Sequence, residues 1–158
     1  MSGSLVIVRV RGRTHIKANI EDTMKMLSIT RKNHCTIVPD NPEYRGMVTK
    51  ANDYIAWGEA DEKTTAKLLS ERGKVEGGKK LSDSHVKDNS SFTDIKSFAK
   101  AVSAGEAKLK DVKGLKPLFR LNPPKKGFER KGIKKPYSVG GALGYRGEKI
   151  SELIGRMM

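Results

Sequence analysis

The first sixty residues alternate between apolar patterns typical of strands and of helices. Residues 4–10 are apolar on both sides of an extended chain, which predicts a strand with both faces covered. Asn19 then stands where a helix cap is expected, and apolar positions at helical spacing follow it until near Asn33. The chain therefore begins with a strand and a helix.

Two more strands and a second helix are predicted to follow. Residues 35–38 are apolar and β-branched, and Pro39 stops them because proline cannot donate to a sheet. Asn41-Pro42 suits the start of a helix that runs to about Ala51, and residues 54–57 supply a third strand. The order β-α-β-α-β predicts an α+β fold with a split, ferredoxin-like sheet and helices on one face.

The middle of the chain is predicted to be helical, with one interruption. Asp61 opens a helix that ends at Gly73, where a left-handed residue is expected. Residues 74–90 are polar and contain glycines, which favours a hairpin or loop. Ser91 opens another helix with capping-box spacing, and Gly105 closes it.

The last third has a different character. Residues 113–135 hold nine basic side chains and one acid, Glu129, and show no amphipathic period. Such a chain buries little, so we expect an extended arm that orders only on a partner and is first cleaved within 113–140 in the free protein. A helix is expected over roughly 144–156.

These patterns divide the chain into three segments. We predict a ferredoxin-like RNA-binding core over 1–60, a helical extension packed on or beside it over 61–112, and a basic extended arm with a terminal helix over 113–158. The fold class expected is thus an α+β core with a mixed helical and extended basic C-terminal extension.

The charge points to a polyanionic partner. The 158 residues carry a formal charge of +14, and residues 108–158 contribute 14 basic against 4 acidic side chains. No apolar run approaches the roughly 20 residues needed to span a bilayer, and the N-terminus lacks the pattern of a secretory signal. The single cysteine, Cys35, lies in a predicted strand. Nucleic acid in the cytoplasm is the partner expected, without a membrane or a small-molecule substrate.

Catalytic and metal chemistry find no support in the sequence. The three histidines are far apart and none has metal-ligand spacing. The glycine-rich stretch 140–149 fails as a phosphate-binding P-loop because Glu148 follows Gly147. Close approach of this backbone to RNA and a simple turn before the last helix both stay open. We predict no catalytic residue, no metal and no cofactor.

Basic and aromatic residues together favour RNA. Each basic cluster alone suits a solvated surface, but several on one side would contact phosphates. In the arm, Phe119, Phe128 and Tyr137 are interleaved with cations, and unpaired bases stack on such rings. Phe119 itself, like Trp57, is expected to pack in the core.

Several ordered motifs over nearly the whole chain resemble the L-thirty family of large-subunit ribosomal proteins, called L-seven in eukaryotes, in its archaeal form. They are VRVRGR at 8–13, YRGMV at 44–48, DYIAWGE at 53–59, ERGK at 71–74, GLKPLFRLNPPKKGF at 114–128 and GGALGYRGEKISELI at 140–154.

The resemblance implies a structural component of the large ribosomal subunit that binds ribosomal RNA near the five-S RNA, beside neighbouring ribosomal proteins, and catalyses no reaction. It also implies RNA contacts by the glycine-rich segment with Tyr145 and Arg146. The candidate RNA-binding residues are Arg11, Arg13, Arg31, Lys32, Arg45, Arg120, Lys125, Lys126, Arg130, Lys131, Lys134, Lys135, Tyr137, Tyr145 and Arg146. A free-standing regulatory nucleic-acid-binding protein is the alternative, and an enzyme on the same fold is the third class.

Overall fold

A computed structural model describes residues 3–158, so the first two residues of the predicted 1–60 segment lie outside it. The strands are β1 (Ser4–Arg9), β2 (His34–Pro39), β3 (Ile55–Glu59), β4 (Phe119–Arg120) and β5 (Gly144–Tyr145). The α-helices are α1 (Ala18–Met26), α2 (Pro42–Lys50), α3 (Glu62–Arg72), α4 (Asp83–Asn89), α5 (Ile95–Ser103) and α6 (Ile150–Met157). Short 3₁₀ turns cover Leu109–Asp111, Tyr137–Val139 and Gly147–Lys149.

One sheet, in the order β4-β2-β1-β3-β5, joins the ends of the chain to its middle. β1 pairs antiparallel with β2 and β3, β4 pairs antiparallel with β2, and β5 pairs parallel with β3. The three central strands and the first two helices confirm the predicted β-α-β-α-β core. β4 and β5 come from residues 113–158, the predicted basic arm and terminal helix, which we call the basic segment. They add a strand at each edge of the sheet.

The two helices of the predicted core lie on one face of this sheet, as expected, and the helices after β3 cover the other face. Leu5 and Ile7 pack with α1 and α2 on one face, whereas Val6 and Val8 pack with α3, α5 and α6 on the other. The alternation in β1 requires this arrangement, because the strand is apolar on both sides. The helices after β3 cover the face that the first two leave open.

The first two helices differ in how well their ends were predicted. α2 begins as expected, since the Asn41 side chain accepts a hydrogen bond from the Tyr44 amide at 2.9 Å. The N-cap of α1 is the extended Lys17, two residues before the predicted Asn19, and it makes no side-chain cap hydrogen bond. α1 ends at Met26, not near Asn33, because Ser28 turns left-handed with φ 63°.

Gly73 and the next helix start also depart from prediction. Gly73 is extended, with φ −65° and ψ 129°, and a Cβ there would lie 2.4 Å from the Leu69 carbonyl oxygen, so close approach favours glycine here. α5 starts at Ile95 and not at Ser91, because Asp94 and Ser97 form a reciprocal capping box. Gly105 closes α5 with φ +81°, as predicted.

Residues 74–90 hold more structure than predicted. A short antiparallel contact joins Lys74 to Lys80, but α4 follows within the same stretch, and its Val86 side chain is fully buried. Its partners are distant, since the His85 ring bonds the Lys113 carbonyl oxygen at 2.8 Å. Tertiary contacts therefore stabilise a helix whose own sequence is polar.

The basic segment packs against the sheet over much of its length. Phe119 is fully buried, as expected, and Leu115 and Leu121 on either side are also in the core. The predicted helix over 144–156 is confirmed only from Ile150 onwards, since Gly144 and Tyr145 pair with β3. The segment is thus extended where it joins the sheet, and its exposed cations lie between those attachments.

Candidate nucleic-acid interface

One end of the sheet gathers cations from distant segments. β1 ends and β2 begins there because they are antiparallel, and β4 places Arg120 opposite His34. The C-terminus of α6 meets the same region, where the Lys125 amide donates to the Arg156 carbonyl oxygen at 2.8 Å. We call this surface the basic end; it comprises Arg11, Arg13, Arg31, Lys32, Arg120, Lys125 and Lys126. All but the half-buried Arg11 are exposed.

A buried arginine, Arg9, holds the basic end together. Its Nε donates to the Arg11 carbonyl oxygen at 3.0 Å, and Nη1 donates to the Ile29 carbonyl oxygen at 3.0 Å. Nη2 lies 3.0 Å from the Glu21 carboxylate and 3.4 Å from the Gly12 carbonyl oxygen. One guanidinium therefore links the loop after β1, the turn before β2 and helix α1.

The two arginines that follow are attached to this framework. Arg13 pairs with the other Glu21 oxygen at 3.3 Å, although its side chain is 62% exposed. The Arg11 guanidinium lies 4.9 Å from the centre of the Tyr54 ring. An exposed pair of this kind contributes little to stability, so both cations can turn to an external phosphate.

His34 lies beneath the same surface. Burial, and then the charges of Arg120, Arg31 and Arg9, lower the pKa of its imidazole. Its Nδ1 faces the Arg31 amide at 3.4 Å, which suits an unprotonated acceptor nitrogen. The ring is thus neutral at pH 7 among cations.

A second basic surface follows Lys126. Residues 127–143, which we call the basic loop, expose Arg130, Lys131, Lys134 and Lys135. Arg146, which was predicted to contact RNA, instead has a side chain only 2% exposed and pairs with Glu129 beneath the loop. Tyr137 is half-buried, with its ring 4.7 Å from the Arg146 guanidinium. Arg146 therefore serves the interior of the protein.

Arg45 and Tyr145 lie away from the basic end. Arg45 binds Asp40, which follows the far end of β2, with one contact of 2.8 Å. This hydrogen bond lowers the pKa of the Asp40 carboxyl. Tyr145 is 52% exposed, donates its hydroxyl to Glu59 and packs on Trp57 with ring centres 4.7 Å apart. These two candidates have acidic partners and lie apart from the cations of the basic end.

Sequence reasoning missed the structural roles of Arg9 and Arg156. A signal for Arg9 was present, since it occupies the next position on the strand face of Leu5 and Ile7, where an apolar residue is expected. No local pattern marks Arg156, whose partners Gly127 and Glu129 come from another segment.

Residues 3–158 show neither a metal centre nor a membrane-spanning helix. No group of three or more His, Cys, Asp or Glu side chains there could hold a metal ion. None of the helices in this range is long and apolar enough to cross a membrane. Cys35 lies on β2, as predicted, and is fully buried, which raises the pKa of its thiol. A buried thiol of this kind is unreactive.

Comparison with known proteins finds one family. A family model described as ribosomal protein L30p/L7e matches residues 5–55. The large ribosomal subunit protein uL30 of Methanopyrus kandleri is 47% identical over 149 residues, which cover 94% of this chain and 100% of that protein. The proteins of the same name from Methanosphaera stadtmanae and Nanoarchaeum equitans are 50% and 51% identical, over 96% and 94% of this chain and 98% and 94% of their own lengths.

Proposed function

Because the chain belongs to the ribosomal protein L30p/L7e family, we propose that it is a structural constituent of the large ribosomal subunit and binds ribosomal RNA through its basic end and basic loop. The observation that carries this proposal is the similarity, over nearly the full length, to proteins named large ribosomal subunit protein uL30. The family is one of ribosomal proteins, which supports a structural rather than a catalytic role.

The geometry supports RNA as the ligand. Phosphate binding needs exposed cations at fixed positions, because release of condensed counterions supplies much of the affinity. The basic end includes Arg11 and Arg13 from the loop after β1 and Arg31 from the turn before β2, and Arg9 links these two segments to α1. The basic loop adds four exposed cations. Arg45 and Tyr145 form a separate, weaker candidate contact, because acids already hold them.

Finer assignments form part of the same proposal. The five-S RNA is the nearby partner, together with neighbouring large-subunit proteins, and the cytoplasmic ribosome is the location. The segments 1–60, 61–112 and 113–158 divide the chain by role: the first supplies most of the basic end, the second covers the sheet, and the third supplies the basic loop. The first and third segments share one sheet, since β4 and β5 add a strand at each edge of the strands of the first segment.

Gradient sedimentation tests this function. A native lysate is fractionated on sucrose at moderate and then high salt, and the protein is followed by mass spectrometry. We expect it with large subunits at both salt concentrations. Its presence at the top of both gradients, still bound to nucleic acid, would overturn the proposal in favour of a regulatory binder.

A further inference from the structure

The basic loop contains a single acid, and that acid points inward. Glu129 is surrounded in sequence by cations, yet its side chain is only 18% exposed. Both carboxylate oxygens accept hydrogen bonds from the Arg146 guanidinium. Arg156 of α6 lies 3.5 Å from the same carboxylate. The acid is thus held by two arginines of the folded protein.

The Arg146 guanidinium contacts the loop at three places. Besides Glu129 near the start, it packs 4.7 Å from the centre of the Tyr137 ring. It also donates to the Ala142 carbonyl oxygen at 3.1 Å, near the end of the loop. Arg156 fixes the base by donating to the Gly127 carbonyl oxygen at 2.9 Å. Two arginines therefore hold the seventeen-residue loop at its start, in its middle and near its end.

Backbone contacts also constrain the path of the basic loop. The Ala142 amide donates to the Gly132 carbonyl oxygen at 3.0 Å, which joins the first and last parts of the loop. At Gly141, a Cβ would lie 2.0 Å from the Lys135 carbonyl oxygen. Only glycine fits there without moving the chain that carries Lys134 and Lys135.

We propose that Glu129, Arg146 and Arg156 are positioning residues that pre-form the basic loop for RNA, so that a carboxylate strengthens binding to a polyanion. The inference rests on the proposed function and names residues that act through the exposed cations. A loop already folded before binding does not lose its conformational entropy when RNA arrives. The acid is neutralised by arginines, so it repels phosphate little.

Replacing Glu129 separates this idea from simple electrostatics. Glu129→Gln raises the net charge by one, and charge alone predicts tighter binding to RNA. Loss of pre-formation predicts the opposite: if the loop spends a tenth of its time in the bound form, affinity falls about tenfold. The two explanations therefore differ in the sign of the effect.

The matched control is Glu148→Gln. Glu148 is exposed and lines the same surface groove as Tyr137 and Arg146, but it has no arginine partner within residues 3–158. Glu148→Gln raises the net charge by the same amount without opening the loop. We therefore expect it to bind RNA as tightly as the unmodified protein, or more tightly. Gly141→Ala is the complement, since it disturbs the loop with no change of charge and should weaken binding.

The experiment measures affinity for deproteinised large-subunit ribosomal RNA at fixed salt, with circular dichroism to show that each variant is folded. Hydrogen exchange of the free proteins follows the amides of residues 128–143, with α5 as internal reference. We expect Glu129→Gln and Gly141→Ala to lose loop protection and bind about tenfold more weakly than Glu148→Gln.

Glu129→Gln that keeps loop protection, or that binds as tightly as Glu148→Gln, would overturn the proposal while leaving the proposed function intact. Failure of the unmodified protein to bind the RNA would overturn the proposed function, and this inference with it. The exchange data need no RNA, so they distinguish the two failures even when a variant binds poorly.

Discussion

Phe119 offers a direct test of whether the basic segment folds on the core without RNA. The side chain is fully buried and comes from β4, which adds the outermost strand beside β2. Replacing it by alanine removes a large apolar group from the sheet face covered by α3, α5 and α6. If this packing exists in the free protein, the change must destabilise it.

The expected size follows from the burial. A phenylalanine buries on the order of 200 Å², which at about 25 cal/mol per Å² corresponds to roughly 5 kcal/mol. Phe→Ala changes in cores cost about 3–5 kcal/mol, in agreement with that value. For a chain of this size each kcal/mol lowers the melting temperature by about 2–4 °C, so a fall of roughly 6–20 °C is expected.

The assay is urea unfolding of free protein, followed by the fluorescence of Trp57, the single tryptophan. Trp57 lies on β3 and its ring contacts Tyr145 of β5, so it reports unfolding on the side of the sheet opposite β4. Phe128→Ala is the control, because Phe128 belongs to the same basic segment but is only partly buried. We expect a loss of about 1 kcal/mol there.

Equal unfolding midpoints for Phe119→Ala and the unmodified protein would refute this reasoning. That result would mean that the segment leaves the sheet in the absence of RNA, as its composition alone predicts. A large loss for Phe119→Ala would instead show that the segment packs on the sheet before RNA binds. Residues 113–140 would then not be cleaved earlier than the core in the free protein, contrary to the expectation from composition.

Three further predictions concern the basic surfaces. Arg9→Met removes the buried partner of Glu21, leaving only the exposed Arg13, and should cost about 3–5 kcal/mol; urea unfolding measures this, and recovery of stability in the Arg9→Met, Glu21→Gln double variant tests the cause. The folded-state pKa of His34 is below its ordinary 6.5, so the unfolded chain binds more protons and stability should fall as pH drops below about 6.5. Melting temperatures at pH 7.5 and 5.5 should differ less for His34→Gln than for the unmodified protein. An equal difference would exclude His34 as the cause of the pH dependence. Replacing four lysines by glutamine should reduce the log–log salt slope of RNA binding by about 3, at roughly 0.7–0.9 per phosphate, and an unchanged slope would place RNA elsewhere. The four are Lys125, Lys126, Lys134 and Lys135.

The central fold could be predicted because its signals are local. The alternating apolar residues of β1 face two cores, and that pattern needs no knowledge of partners. Asn41 caps α2 with its own side chain, three residues from the amide it binds. In both places sequence neighbours satisfy one another and the prediction held, whereas the equally local capping box of Asp94 and Ser97 was predicted three residues too early.

Other errors arose where contacts with distant residues determine the local structure. α4 is polar, and its stability depends on burial of Val86 and on contacts to Ile95 and Lys113. β4 and β5 are two residues each, too short for any period, and only pairing with β2 and β3 makes them strands. The composition of the basic segment also hid the burial of Leu115 and Leu121, on either side of Phe119.

The candidate interface shows the same division between local and distant information. Exposed cations could be named from composition, because a charged residue on the surface needs no partner. Arg146 could not be placed, since its burial depends on Glu129, seventeen residues earlier. A list of basic residues therefore mixes those that can contact phosphate with those that hold the others in place.

Both basic surfaces are built over a buried arginine that is paired with an acid. Arg9 with Glu21 lies under the basic end, and Arg146 with Glu129 lies under the basic loop. In each case the guanidinium also donates to backbone carbonyl oxygens of the segment above it, so backbone position and charge are fixed together. Arginine suits this role because its planar group donates in several directions at once, which a lysine cannot do. Lysine at position 9 or 146 should therefore keep the charge but lose the geometry, and RNA affinity should fall although the net charge is unchanged.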